Sequence, residues 1–269
     1  MRFRVLAVAC AGLAGGAACL FPSLGDVGVG GSSDGAAEDA DAIATGSDGG
    51  IAADADFCTS IAPAPTFCDS FDRGAFGASW SKSDVYGAGA AIGTSSLAWT
   101  PPLSFHSIVD VDDGGSAANL SENFDGTGRA VDYSFDLYVE RKPSQGGTEI
   151  SGVGVSIGED DYYLDIVLGP DVVNIEHDGP NGDATSAPLA NIPTGRWMNV
   201  AWHLDLAPEA GAPSARLEID GAIVYSNALP PYGFAPGSTW IFAGIGWQSP
   251  DADGTVIDVD DVVAGVTQQ

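Results

Sequence analysis

The chain has 269 residues, of which 37 are acidic and 9 are Lys or Arg, and its formal net charge at pH 7 is −28. This charge repels nucleic acid and anionic lipid surfaces, and it therefore argues against both as partners. A solvated acidic surface that keeps an exported protein soluble is the simplest interpretation.

The N-terminus has the pattern of an export signal. A short positive segment, MRFR, precedes an apolar segment rich in Gly and Ala that is too short for a convincing transmembrane helix. Small residues stand directly before Cys19, which predicts a signal peptide over residues 1–19 and a lipid on Cys19. Gly16 occupies the position where such signals normally have Leu, so Cys10 and Cys19 as ordinary residues of a discarded peptide remain the alternative. The predicted location is the cell surface or outer membrane, or else the secreted or periplasmic space, with membrane contact only through the anchor.

Residues 20–56 are dominated by Gly, Ala, Ser and Asp, and from Gly25 onwards they contain no basic and no aromatic residue. Such a segment buries too little apolar surface to offset the entropy of ordering. We therefore predict a disordered acidic tether that holds the following domain, residues 57–269, away from the membrane.

Two cysteines, Cys58 and Cys68, bracket the loop TSIAPAPTF at the start of this domain. A metal knuckle, a redox pair and a disulfide are the three interpretations. No other Cys and no nearby His completes a metal site, and the spacing differs from the CxxC of redox motifs. Because an exported chain meets an oxidising environment, the pair predicts a disulfide at the entry into the domain.

The hydrophobic period of the domain is two residues. Tyr133, Phe135, Leu137 and Val139 alternate with polar or amphipathic residues, and the same alternation occurs in YYLDIVLG, WMNVAWHLDL and SARLEIDG. Further strand candidates are SFHSIVDV, GVGVSI, DVVNIEH, AIVYSNAL, WIFAGIGW and TVIDVDDVV. About ten to thirteen strands, each with one apolar face, predict an all-β fold with two antiparallel sheets packed as a jelly-roll sandwich.

Several motifs carry a family resemblance over Phe67–Val263. Gly195 and Trp197 open a long alternating strand, Asp220-Gly221 forms a turn into the next strand, CDSFD followed by Trp80 opens the domain, and TVIDVDDVV closes it. The segment resembles laminin-G-like, or concanavalin A-like, lectin and glucanase jelly-roll domains. This resemblance implies the sandwich fold and packing roles for Trp80 and Trp197. With the tether, the chain resembles surface lipoproteins of predatory or social, myxobacteria-like soil bacteria.

Candidate catalytic residues are few. Retaining glucanases of the same superfamily carry Glu-x-Asp-x-x-Glu on one strand, whereas here Glu218 and Asp220 are followed by Ile223 at the position of the second Glu. His203 and Asp205 share the polar face of one strand, and a His–Asp pair is the alternative to a satisfied surface histidine. We therefore predict no catalytic residue and favour a protein that is not an enzyme.

Aspartates near both ends of the domain suggest a cation site. Asp69 and Asp72 follow the second cysteine, and Asp258 and Asp260 lie on the last strand; the first and last strands of jelly rolls are commonly neighbours. Carboxylate oxygens are the ligands that Ca²⁺ prefers, so these four residues predict a structural calcium. The alternative is that Asp258 and Asp260 share one solvent-facing side of a strand, with Asp261 on the other.

Exposed aromatic rings stack on sugars because their π-faces attract C–H groups. The candidate ligand-binding residues lie near Pro-rich or Gly-rich loops or on a polar strand face: Trp99, Tyr232, Trp240, Trp247 and His203. They predict a non-catalytic cell-surface module that recognises glycan or another surface macromolecule. The alternatives are a carbohydrate-active enzyme, either a polysaccharide lyase or a glycoside hydrolase, and a structural envelope protein.

Overall fold

A computed structural model describes residues 57–110, 115–126, 128–157, 160–179, 185–189, 192–208, 212–229 and 238–268. The predicted signal peptide, the tether and Cys19 lie outside these ranges. Within them, the regular structure is one four-residue helix, α1 (Phe57–Ser60), and fifteen strands.

No helix in the described part of the chain is long and apolar enough to cross a bilayer.

The strands follow one another along the chain. They are β1 (Phe67–Asp69), β2 (Lys82–Tyr86), β3 (Ala90–Ser95), β4 (Ser104–Val109), β5 (Ser116–Phe124), β6 (Gly128–Arg141), β7 (Thr148–Ile157), β8 (Asp160–Leu168), β9 (Val173–Asp178), β10 (Thr185–Leu189), β11 (Trp197–Asp205), β12 (Ser214–Ile219), β13 (Ala222–Ala228), β14 (Thr239–Gln248) and β15 (Thr255–Gln268).

The strands form two antiparallel sheets. Sheet A has the order β13-β12-β11-β6-β15-β4-β3, with β1 added against β15, and sheet B has the order β10-β9-β8-β7-β14-β5-β2. This architecture confirms the predicted all-β jelly-roll sandwich. The ten segments predicted as strands all contribute one, whereas β2, β3, β5 and β10 lack a clear apolar alternation and were not predicted. Three of these, β2, β3 and β10, are edge strands, which bury less side-chain surface than central ones.

The core lies between the inner faces of the two sheets. On β6 and β8 the alternating residues are almost completely buried, as their period of two predicts: Tyr133, Phe135, Leu137, Val139, Tyr162, Leu164, Ile166 and Leu168. Trp202 on β11 is also fully buried. Trp80 is 7% exposed and packs edge-on against Phe67, with ring centroids 4.8 Å apart. Trp197 has the opposite orientation to Trp202 and packs against Tyr138.

A buried histidine links the two sheets. His177 on β9 bonds through Nδ1 to the hydroxyl of Tyr162, at 2.6 Å, and through Nε2 to the hydroxyl of Tyr225 on β13. A neutral imidazole has one donor and one acceptor nitrogen, so each hydroxyl meets a nitrogen of defined role. Burial lowers the pKa of His177, which favours this neutral form.

Replacing Tyr225 with Phe is expected to lower the free energy of unfolding by about 1–3 kcal/mol, because Nε2 of buried His177 loses its partner. Urea unfolding of the purified protein measures this change. Tyr138→Phe is the matched control, since the ring of Tyr138 keeps its contact with Trp197. Equal stability of the two variants would contradict a stabilising role for the bridge.

The predicted disulfide joins Cys58 and Cys68. It ties α1 to β1, which pairs with the last strand, β15, in the register Asp69↔Val262. The bridge therefore holds the entry of the chain against the final strand of sheet A.

Candidate functional site

The outer face of sheet B, which points away from sheet A, carries the candidate site. On β14, Ile241, Ala243 and Ile245 are buried in the core, so Trp240 and Phe242 project from the opposite side. The same alternation on the neighbouring strands β7, β8 and β9 places further aromatic and acidic side chains on this face: Glu149, Tyr163, Asp165, Glu176 and Asp178. On β14 a bulge follows Ile245, and the register then pairs Trp247 with Glu149, which brings Trp247 to the same face.

Trp240 lies flat on the backbone of β7. A Cβ atom at Gly154 would lie only 2.0 Å from Cε2 of the indole, so the ring occupies the space above this glycine. Gly154 pairs with Trp240 on one side and with Tyr163 on the other, and the two rings meet edge to face with centroids 5.5 Å apart. We call Trp240 and Tyr163 the aromatic platform. Trp247, which is 38% exposed, lies further along β14.

Four carboxylates border the aromatic platform, and we call Glu149, Asp165, Glu176 and Asp178 the acidic cluster. Asp165 on β8 stands directly opposite Glu176 on β9, and Asp178 stands opposite Tyr163. Glu149 on β7 is paired with Trp247. Because β7, β8 and β9 are consecutive neighbours in sheet B, the four side chains share one region of the outer face.

The pKa values of all four carboxyl groups in the acidic cluster are raised. Burial, followed by the charges of Glu176 and Asp178, raises the pKa of Glu149 to about 8. Burial and then the charge of Glu149 raise the pKa of Asp165 well above its usual range. Burial also raises the pKa of Glu176 and of Asp178. Among the described residues, no salt bridge connects a member of the cluster to a basic side chain.

Asp165 is the most enclosed member of the acidic cluster. Its side chain is 5% exposed, and its Oδ1 has no hydrogen-bond partner. A Cβ atom at Gly152 would lie 2.0 Å from this oxygen, so the absence of a side chain there makes room for the carboxylate. A buried acceptor without a donor is unfavourable unless another group supplies one.

The structure places two of the predicted ligand-binding residues, Trp240 and Trp247, on the outer face of sheet B, at opposite ends of β14. Trp99 lies elsewhere: it is 58% exposed, and its backbone N–H donates to Asp260 on β15 of sheet A, at 2.9 Å. His203 projects from β11 on sheet A, and Tyr232 lies outside the described residues.

His203 pairs with a residue that the sequence did not indicate. Its Nδ1 lies 2.7 Å from Oδ1 of Asp132 on β6, and its Nε2 lies 4.0 Å from Glu218. The alternative of a His203–Asp205 pair is therefore wrong, because the register sets His203 directly opposite Asp132. These groups line an open groove of about 580 Å³ beside the loop closed by the disulfide.

The segment around Glu218 is a hairpin end. Asp220 and Gly221 both have positive φ, 50° and 75°, in the turn between β12 and β13. The Asp220 carboxylate accepts the backbone N–H of Asn199 at 3.0 Å and pairs with Arg196 at 2.9 Å. Asp220 therefore stabilises the turn.

The carboxylates predicted to bind calcium accept hydrogen bonds from the protein. Asp69 accepts from the backbone of Phe71 and from the indole N–H of Trp80, both at 2.8 Å, and Asp72 accepts from the backbone of Leu103. Within the described ranges, no group of three or more His, Cys, Asp or Glu side chains is arranged to hold a metal ion. The calcium site stays a prediction.

The last strand departs from the expected solvent-facing pattern. Asp258 and Asp260 are 1% and 0% exposed, so the alternative of a solvated strand face is wrong. The loop before β4 covers them: the backbone N–H groups of Trp99 and Thr100 donate to Asp260. A bulge follows Asp260, and Asp261, with φ of 49°, bonds the hydroxyl of Thr100. His106 pairs with Asp258 at 2.9 Å.

The acidic cluster and Tyr163 were not among the residues proposed from the sequence. Alternation in DDYYLDIVL and VNIEHD assigns Tyr163, Asp165, Glu176 and Asp178 to polar strand faces. That signal does not reveal that the strands are neighbours or that the carboxylates are partly buried.

No protein-family model matches the sequence, and no curated protein sequence matches it. Among solved structures, the chain is similar to Cip1, a cellulose-induced protein, with 14% identity and a TM-score of 0.55 over 76% of this chain and 98% of Cip1. This similarity shows a shared fold.

Two further solved structures match with lower TM-scores. One concerns botulinum neurotoxin type C, whose cell entry depends on two ganglioside molecules, with 12% identity, a TM-score of 0.48, and coverage of 70% of this chain and 44% of the neurotoxin chain. The other is a family 7 alginate lyase in complex with substrate, with 10% identity, a TM-score of 0.47, and coverage of 62% and 79%.

Proposed function

We propose that the protein is a glycan-binding module whose ligand lies on the outer face of sheet B. The observation that carries this proposal is the position of Trp240, whose indole rests on Gly154 and stays partly exposed. A ring supported from below by a strand is held rigidly, and its free π-face is a surface on which sugar C–H groups stack. Tyr163 extends the aromatic surface beside Trp240, and Trp247 supplies a second exposed indole at the other end of β14.

Polar groups beside the aromatic platform suit a sugar ligand. Asp178 and Glu176 supply carboxylate oxygens that accept hydrogen bonds from hydroxyl groups, and Asn174 on the same face supplies both donors and acceptors. A small number of polar groups around aromatic side chains is typical of small-molecule and sugar sites, where they fix orientation.

Replacing Trp240 with Ala is expected to weaken glycan binding by about tenfold or more, because the main stacking surface is removed. Glycan arrays followed by titration of the best ligand measure this loss. Trp99→Ala is the matched control, because it deletes a more exposed indole on the side of sheet A. Equal losses in both variants, or no glycan bound by the wild type, would refute the proposal.

Glycoside hydrolysis is a second candidate function, favoured by the proximity of Glu149 and Asp165. Burial, followed by the charges of Glu176 and Asp178, raises the pKa of Glu149 to about 8, which keeps its carboxyl protonated near neutral pH as a general acid requires. Release of reducing ends from the glycan that binds best, with loss in Glu149→Gln, is the expected result for an enzyme. Binding without release supports the module.

Export, the lipid on Cys19 and a structural calcium at Asp69, Asp72, Asp258 and Asp260 are also part of the proposal. Metabolic labelling with a fatty acid, compared between the wild type and Cys19→Ser, tests the anchor. The melting temperature with and without chelator tests the calcium: an unchanged value refutes it.

A further inference from the structure

We infer that the glycan bound on the outer face of sheet B carries positively charged amino groups, so that the ligand class is an amino-sugar polymer with unacetylated amines. The inference rests on the proposed glycan-binding function and adds the chemical class of the ligand. Its basis is the acidic cluster at the border of the aromatic platform.

The geometry places negative charge where a stacked sugar would present its substituents. Asp178 is directly opposite Tyr163, and Asp165 is two residues from Tyr163 on the same face of β8. Asp165 and Glu176 are opposed across neighbouring strands, where Cβ atoms are about 4.5–5.5 Å apart. A sugar on the aromatic platform therefore has carboxylates on two sides.

Asp165 provides a separate indication of a missing donor. Asp165 is only 5% exposed, and its Oδ1 has no hydrogen-bond partner. An ammonium group has three donors and no acceptor, and it forms stronger hydrogen bonds with a carboxylate than a neutral hydroxyl does. The same group is attracted to the faces of Trp240 and Tyr163 by their π-electrons.

Anionic glycans fit this face poorly. In the strands of sheet B, as far as they are described, the basic side chains are Lys82 and His177. Lys82 is on β2 at the far edge, where it pairs with Asp84 at 3.0 Å, and His177 lies in the core. A uronate or sulfated sugar would meet repulsion from the acidic cluster without a compensating cation on these described strands.

A metal ion is the other cation that an acidic cluster attracts. The described His, Cys, Asp and Glu side chains do not form a group of three or more that is arranged to hold one. The carboxylates are spread over three strands beside aromatic rings, which suits an extended polycation better than a point charge. Sensitivity to chelator separates the two cations in the experiment.

Ligand binding should also release protons. Burial and neighbouring charges raise the pKa values of Glu149 and Asp165, so both carboxyls hold protons more tightly than usual. An ammonium group nearby favours the ionised carboxylate and lowers these pKa values. Protons therefore leave the acidic cluster when the amine binds.

The test is calorimetric titration with glucosamine oligomers and with their N-acetylated forms of equal length, in a buffer that keeps the amines protonated. Acetylation converts each amine to a neutral amide and leaves the sugar chain unchanged. We expect the free-amine oligomer to bind at least about tenfold more tightly, with an affinity that falls as salt rises. Titration in two buffers of different ionisation enthalpy should show proton release.

Single-residue variants test whether the acidic cluster is the part of the protein that binds the amine. Glu176→Gln and Asp178→Asn should each reduce affinity for the free-amine oligomer by about tenfold. Glu140→Gln, which removes an exposed carboxylate from β6 on sheet A, should leave the affinity unchanged.

The outcomes distinguish this inference from the proposed function. Equal or tighter binding of the acetylated oligomer, or no binding of either, overturns the amine assignment. If Trp240→Ala still abolishes binding of another glycan, the glycan-binding function stands; if no glycan binds, both fail. Loss of free-amine binding on addition of chelator overturns direct contact between amine and carboxylate.

Discussion

Replacing Asp165 with asparagine is expected to raise the free energy of unfolding at about pH 8 and to change it little at about pH 5. The side chain is almost completely buried, and burial together with the charge of Glu149 raises its pKa. At the higher pH the unfolded chain gains from ionising this carboxyl in water, which destabilises the folded state. Asparagine has nearly the same shape and does not ionise.

The wild type should therefore become more stable as the pH falls from about 8 to about 5. A carboxyl whose folded-state pKa is raised stabilises the fold fully below its unfolded pKa, and this stabilisation is lost as the pH rises through the folded value. The raised values are about 8 for Glu149, about 7 for Asp260, and about 6 for Asp136 and Asp261. Burial is the first cause in each case.

His177 acts in the opposite direction. Its pKa is lowered by burial, so its contribution is fully present above the unfolded value of about 6.5 and is lost as the pH falls through the folded value. Acidification therefore destabilises the fold through one histidine and stabilises it through several carboxyls. We expect the free energy of unfolding to rise on acidification to about pH 5.

Thermal unfolding followed by circular dichroism across this range, in the wild type, Asp165→Asn and Asp125→Asn, measures the effect. The exposed Asp125, in the turn between β5 and β6, is the control and should leave the pH profile unchanged. A melting temperature that falls on acidification to about pH 5, or an Asp165→Asn variant that is less stable at about pH 8, would show that burial of these carboxyls does not set the profile.

Replacing Cys58 and Cys68 together with serine is expected to lower the free energy of unfolding by about 3 kcal/mol. The bridge closes a loop with a sequence separation of 10, and it thereby restricts the unfolded chain. It also holds α1 beside β1, which pairs with β15. Glycan binding should persist under conditions in which the variant is folded, because the bridge lies on the side of sheet A.

Urea unfolding with and without a thiol reductant supplies the control. Reduction should destabilise the wild type by a similar amount and leave the double variant unchanged. A double variant as stable as the oxidised wild type would mean that the bridge between Cys58 and Cys68 contributes nothing measurable to the free energy of unfolding.

Much of the architecture follows from the period of two. Tyr162, Leu164, Ile166 and Leu168 alternate with polar residues in the sequence and are fully buried in the structure. The edge strands β2 and β10 gave no such pattern, because a strand with one neighbour and partial exposure accommodates Lys82 or Pro188 without penalty.

The candidate site was predictable only in part. Trp240 and Trp247 stood out because exposed indoles near Gly-rich turns suit sugar binding, and the structure places both on the outer face of sheet B. The support of Trp240 by Gly154 depends on a pairing between β14 and β7, which are far apart in the chain. Local sequence does not encode which strands become neighbours.

The last strand, β15, is a second place where alternation in the sequence did not predict the structure. Asp258 and Asp260 were assigned to one side of a strand from alternation, but a loop that returns from β3 covers them and a bulge turns Asp261 towards Thr100. The burial of Asp258 and Asp260 and the bulge after Asp260 both depend on long-range packing, which alternation in the sequence does not predict.

The sequence by itself determined the β-sandwich class, the alternating core residues and the pairing of Cys58 with Cys68, because each depends on local pattern or on the only two cysteines of the domain. The tertiary structure decided that Glu149, Asp165, Glu176 and Asp178 share one face beside Trp240 and Tyr163. Strand order and register bring these residues together, and the resulting burial and charge repulsion change their chemistry.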